Sequence, residues 1–357
     1  MRAPETIGLE PGTLDGVVPS WLALASERGG SYFQTPDWIL SWWETLARKP
    51  QTTLAIWRDP SGEPSSIVAV SRERLPLHRT LPMSSSAYVN AGSGPGAADH
   101  CGPLVSPGDE DDVRGWLSDV GNGTTLLLRH VGAATGNVVP ASARPIETSV
   151  CPRLTLSPGD EVGRSSNFRH QLRSYRRRLA RDGVVFDWKG PGQVGDSVLR
   201  ALFELHRRRR EGDPTSFSPD QIAFHRSLIE RSDRTRGPAA IVARQSDRPI
   251  GVLYGFRWAD TFYAYQKGWD PAWERRSLGS VLLHEAITSA RSDGARIFDF
   301  LRGAEPYKYR FGAADVVDST WLLPTGFGGW TLRWKYGAKR LVNRSERSSP
   351  ASETSDG

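Results

Sequence analysis

Arg275-Arg276-Ser277-Leu278-Gly279-Ser280 places two cations and a glycine turn ahead of an apolar period, Leu278, Leu282, Leu283, Ala286, Ile287 and Ala290, which Gly294 closes. That period predicts a helix whose first turn carries unpaired backbone N–H groups and the positive end of the helix dipole. With the arginines alongside, the turn is an anion pocket in which a pyrophosphate would fit. Upstream, residues 261–268 alternate Phe262, Ala264 and Gln266 against Tyr263, Tyr265 and Lys267, which predicts a strand with two unlike faces. Downstream, residues 295–301 predict another strand. A right-handed crossover lays the two strands adjacent and parallel, splayed at 275–280, and brings the polar stretch from Asp299 to Lys308 beside the pocket.

Within this stretch, Arg276-Ser277-Leu278-Gly279-Ser280-Val281 resembles the pyrophosphate signature of the GNAT acyltransferases, Gln/Arg-x-x-Gly-x-Gly/Ala. The basic position and the first glycine match; Val281 stands where the signature ends in a small residue. Asp299-Phe300-Leu301-Arg302-Gly303 and the pair Tyr307-Lys308 resemble the branch with a BioF2-like acetyltransferase domain. That branch includes acetyltransferases linked to cellulose biosynthesis and is related to the Fem peptidyltransferases. The likeness covers about residues 165–325. It implies an α/β fold on a mixed sheet, with two tandem GNAT-like units in a Fem-like arrangement.

The resemblance also implies direct attack of an amine on an acyl donor, with no covalent enzyme intermediate. Tyr307 then stands where a tyrosine protonates the leaving thiolate, and Lys308 resembles the lysine that Fem-type enzymes use near the transferred carbonyl. Asp299 or an ordered water is the candidate base. Arg275, Arg276, Ser277, Leu278, Gly279 and Ser280 are expected to bind the donor; Tyr265, Gln266, Arg302 and Arg310 are expected to line the acceptor side. No G-x-S-x-G elbow is present, which disfavours a serine hydrolase.

Composition limits the alternatives. Cys101 and Cys151 lack metal-ligand spacing, so no metal site or disulfide framework is expected. No apolar run approaches 18 residues and the first residues have no signal-peptide core, so neither a membrane span nor secretion is expected and the cytoplasm is the default compartment. Residues 1–150 carry 11 basic and 16 acidic side chains, net −5, whereas 151–357 carry 35 and 24, net +11. Much of the excess lies in 168–183, where Phe168, Leu172, Tyr175 and Leu179 form one helical stripe among arginines that include Arg173, Arg176, Arg177 and Arg181. These arginines suit a tRNA backbone or a solvated surface.

Three readings follow. In the first, an acyl-CoA thioester such as acetyl-CoA donates to an amine of a small molecule or glycan. In the second, aminoacyl-tRNA is the donor, which Val281 and the basic half favour. The third is a non-catalytic nucleic-acid-binding or scaffold protein. The sequence does not fix the oligomeric state.

The same strand–turn–strand pattern occurs at 52–70 and at 240–254, supporting a duplicated architecture with a boundary near 150. The expected divisions are a poorly ordered segment 1–25, an N-terminal GNAT-like domain 26–150, a C-terminal BioF2-like domain 151–344 and a disordered tail 345–357. Residues 84–102 read as a glycine-rich loop, and 121–158 as loop apart from a strand at 124–129. Trp330 and Trp334, at i, i+4, are expected on the packed face of a helix.

Overall fold

The computed structural model describes residues 1–10, 14, 16–76, 84–94, 98–209 and 218–335. Among these, twelve strands form one sheet in the order β1-β2-β3-β4-β5-β12-β6-β11-β10-β9-β8-β7. The first half supplies β1 (Glu5–Gly8), β2 (Thr52–Arg58), β3 (Pro64–Pro76), β4 (Ser84–Asn90) and β5 (Thr125–Gly132). The second supplies β6 (Arg144–Thr155), β7 (Val184–Lys189), β8 (Gly237–Gln245), β9 (Arg248–Trp258), β10 (Thr261–Trp269), β11 (Ile297–Asp299) and β12 (Ala314–Leu323).

Each half repeats one order of elements. β2 and β3 form a hairpin, β4 pairs antiparallel to β3, and α3 (Glu110–Gly123) crosses over to β5, which pairs parallel to β4. In the second half β8, β9 and β10 repeat this, and α7 (Leu278–Ser292) crosses over to β11, parallel to β10. β12 inserts antiparallel between β5 and β6 and joins the halves into one sheet.

Helices cover both faces. On one face α1 (Val18–Glu27), α2 (Pro36–Ser41), α5 (Asp196–Arg209) and α6 (Pro219–Glu230) bury one apolar cluster that draws on both halves, from Trp21 and Trp38 to Tyr254 and Phe256. α4 (Ser166–Arg181) and α7 bury a second cluster through Phe168, Leu172, Leu179, Leu282 and Ile287, the stripes expected from their spacing. Local start signals are explicit. Ser165 caps α4 by accepting from the Phe168 amide, and Ser218 with Gln221 forms a capping box behind Pro219.

Several expectations are corrected. The segment 1–25 contains an edge strand and α1, because β1 pairs with β2 and Trp21 is buried against the first half. Residues 84–90 are strand β4; glycine becomes dense only after Asn90. Residues 144–155 form β6, which crosses position 150 and pairs with both β11 and β12. β11 is shorter than 295–301, because Leu301 turns into left-handed backbone at φ 56°. Trp330 and Trp334 are exposed rather than packed. The tail 345–357 lies outside the described residues.

Candidate active site

Asp270 caps the 3₁₀ turn Pro271–Arg276 by accepting from the Ala272 amide, and Ser277, at φ 57°, swings the chain into α7. The first turn of α7 holds no acidic side chain, although Glu274 of the preceding turn lines the cavity beside it. Beside it lies a cavity of about 300 Å³. Lys267 and Trp269 line it from β10, Ser277, Gly279 and Ser280 from the turn, and Tyr307 and Arg310 from α8 (Pro306–Arg310). A Cβ at 279 would stand 3.3 Å from the Trp269 ring, a tight contact that glycine avoids. The corresponding helix of the first half is unsuited to an anion. α3 opens with Glu110, Asp111 and Asp112, and Arg2 pairs with Asp109 and Asp112.

The cavity exists because two paired strands part. β10 and β11 stay in register only from Thr261↔Ile297 to Tyr263↔Asp299. β10 then bulges against β9 between Ala264 and Gln266, while the other chain leaves as a loop. Lys308 holds that loop. Its ammonium is 2% exposed, donates to the carbonyls of Leu301 (3.0 Å), Arg302 (3.0 Å) and Gly303 (2.8 Å), and pairs with Glu305 at 2.9 Å.

Residues 166–309 match the family model described as Acetyltransferase (GNAT) domain. Over that segment the chain carries a GNAT-type acetyltransferase domain. By this domain it is an acyltransferase, and it combines a GNAT core with Fem-like neighbours in overall shape. FemX superposes with a TM-score of 0.61 at 9% identity, covering 89% of this chain and 97% of FemX. The C-terminal domain of a putative lysylphosphatidylglycerol synthetase from Agrobacterium fabrum superposes with a TM-score of 0.57 at 13% identity, covering 91% and 96%. L-PGS from Bacillus licheniformis does so with a TM-score of 0.55 at 10% identity, covering 94% and 98%. At these identities the likeness is one of fold. A search of curated proteins finds no match.

Of the residues nominated for the donor in the GNAT domain, Ser277, Gly279 and Ser280 line the cavity and Leu278 is buried in the core beneath it. Arg275 and Arg276 are exposed outside the lining, and Arg276 is tied to Asp182 at the end of α4. Tyr307 faces the cavity, with the Lys267 ammonium 3.8 Å from its ring centroid. Arg310 lies over Phe168 at 4.2 Å and lines this same cavity, on the side of Tyr307.

Tyr265 and Gln266 occupy the far side of the bulge. Tyr265 packs among Trp38, His225 and Phe256, and Gln266 Nε2 is 2.9 Å from His206 Nε2. Burial pushes the Tyr265 phenol up and the His225 imidazole down to about 3, so both are neutral near pH 7. Arg302 is drawn away into the first half, where its guanidinium pairs with Asp99 at 2.6 Å and contacts His130.

Asp299 is sealed. Fully buried, it accepts from the Leu301 amide at 2.8 Å, lies 3.0 Å from His100 Nε2 and pairs with Arg153. His100 bonds Asp318 through its other ring nitrogen at 2.9 Å. Burial alone would lower the His100 pKa and raise that of Asp299. The hydrogen bonds and charges within the cluster outweigh it, lifting His100 to about 9 and depressing Asp299. A carboxylate so engaged has no free lone pair facing substrate, which removes Asp299 from the candidate bases. His100, Cys151 and Asp318 also bring potential metal-ligand atoms within 4.8 Å of one another. A protonated imidazole and a thiol whose pKa burial raises leave that trio unsuited to a cation.

Three of the α4 arginines pair with carboxylates at the surface, Arg169 and Arg173 sharing Glu161 at 2.6 and 3.0 Å and Arg176 meeting Glu285 at 2.7 Å; Arg177 and Arg181 are exposed. Sequence reasoning missed His100, Arg153, Asp318 and His206. It also missed Lys267 and Trp269 in the cavity beside α7, although their i, i+2 spacing on one strand places them on one face.

Lys308→Met should lower stability by about 2–3 kcal/mol in urea unfolding, because three carbonyls lose a charged donor where water cannot replace it. Unchanged stability with abolished turnover would instead return Lys308 to a direct role in chemistry.

Proposed function

We propose that the GNAT domain transfers an acyl group from a coenzyme A thioester to an amine of a small molecule or glycan. The reading rests on one observation, the parted β10–β11 pair with the N-terminus of α7 and Tyr307 around a common cavity. The pyrophosphate sits at the Ser277–Ser280 turn and the pantetheine arm runs into the parting. The amine approaches from the Tyr265 and Gln266 side. Its nitrogen attacks the thioester carbonyl carbon, the C–S bond breaks, and the departing sulfur takes a proton from Tyr307. The proton lost by the amine leaves through ordered water, since Asp299 is occupied. The chemistry falls to a C-terminal unit, 151–344, and the N-terminal unit, 26–150, shapes the acceptor side through Trp38 against Tyr265. Coenzyme A chemistry keeps the cytoplasm as the expected compartment.

Aminoacyl-tRNA is the second reading. The Arg276–Asp182 pair ties the exposed Arg181 end of α4 to the donor turn, where a tRNA acceptor stem could be met. Thermal unfolding with acetyl-CoA or with charged tRNA separates the two, because the true donor raises the midpoint with its concentration. A rise with acetyl-CoA is expected. Gly279→Asp should remove that rise and lift the donor KM at least tenfold, through both the added carboxylate and the clash with Trp269. A rise with charged tRNA alone would overturn the thioester reading.

A further inference from the structure

Residues 326–335 form a helix that is packed on one side only. Leu332 is buried with Leu75, Ala87, Val89 and Leu127, and the Lys335 ammonium donates to the Pro76 carbonyl. On the opposite side Phe327, Trp330 and Trp334 are 79%, 52% and 81% exposed. At 100° per residue these three fall within an arc of about 60°, a continuous aromatic ridge. Arg333 stacks on Trp330 at 4.9 Å. No acidic residue occurs from 326 to 335, whereas Arg333 and Lys335 do.

We propose that this helix is a surface anchor that lays its aromatic ridge into an anionic lipid bilayer. Tryptophan and phenylalanine with basic flanks match the boundary between headgroups and acyl chains, where a ring is half apolar and half wet and anionic lipids attract the cations. Size decides against a protein partner. A stable interface needs about 800 Å² and 20–30 residues from each side, and among the described residues this ridge offers three side chains on one helix face. A bilayer demands no such complementary area. No helix among the described residues is long and apolar enough to cross a membrane, so the contact would be interfacial. The proposal does not depend on the identity of the acyl donor.

The test is co-sedimentation of the full chain with vesicles of phosphatidylcholine alone or mixed equally with phosphatidylglycerol, at 0.1 M salt. Binding to the mixed vesicles, at least tenfold weaker to phosphatidylcholine, is expected. The triple variant Phe327→Ser, Trp330→Ser, Trp334→Ser should lose at least tenfold in binding with an unchanged melting midpoint. Trp334→Ser alone, at the most exposed position, should lose severalfold and guards against misfolding of the triple variant. Arg333→Gln should weaken binding to mixed vesicles only. No vesicle binding, equal binding by wild type and the ridge variants, or a solution dimer that those variants dissociate would each overturn the proposal, the last by assigning the ridge to a second copy.

Discussion

Asp299→Asn is expected to lower the free energy of unfolding by about 3–5 kcal/mol, the usual cost of leaving a buried partner charge uncompensated. Asparagine keeps the volume and can still accept from the Leu301 amide, so the loss isolates the charge. His100 and Arg153 would then face a single remaining carboxylate, Asp318, with His100 buried and only Arg153 reaching solvent. The pH dependence carries the same signature. Because folding raises the His100 pKa from 6.5 to about 9, its contribution is complete below about pH 6.5 and vanishes as pH rises through 9. Folding depresses Asp299, so its contribution is present above about pH 3.8 and is lost as pH falls through the folded value. Wild-type stability should therefore fall between pH 6.5 and 9, and the variant should show a flatter alkaline limb. Urea titrations at pH 6 and pH 9 measure both effects. A variant as stable as wild type with turnover abolished would restore Asp299 as a base.

This cluster also marks where sequence reasoning stopped. Ladders between chain neighbours, such as β8 with β9, and helices with a strong apolar period, such as α7, were legible because the signal is local. So was the crossover from β10 to β11, since handedness restricts where the second strand can lie. The junction of the halves was not legible. β12 pairs with β5 across about 190 residues, and an alternating stretch such as 144–155 says nothing about its partner. Asp299 illustrates the same limit in the site. Its type suggested a base, but its role depends on His100, 199 positions earlier, on a loop whose glycine-rich sequence gave no element to place. Lys308 read as a catalytic lysine because burial of a cation becomes intelligible only with three carbonyls around it. Trp330 and Trp334 were misplaced by a rule that fixes which residues share a helix face but not whether that face is covered.

The second large effect is expected at Tyr307. If Tyr307 protonates the leaving sulfur, Tyr307→Phe should reduce kcat by about a hundredfold, within the range general acid catalysis supplies, with the donor KM changed less than about threefold. The small change in KM follows from geometry, because phenylalanine retains the ring that walls the cavity and lies beneath the Lys267 ammonium. The proton rather than the ring can then be tested through the leaving group. An acyl donor built on an acidic aryl thiol departs without protonation, so the variant should approach wild-type turnover with it while remaining impaired with the alkyl thioester. Equal losses with both donors would mean that the substitution disturbs the shape of α8 and the loop that Lys308 holds. No loss with either would leave the departing thiolate to be protonated by solvent or by Lys267, and Tyr307 as part of the cavity wall alone.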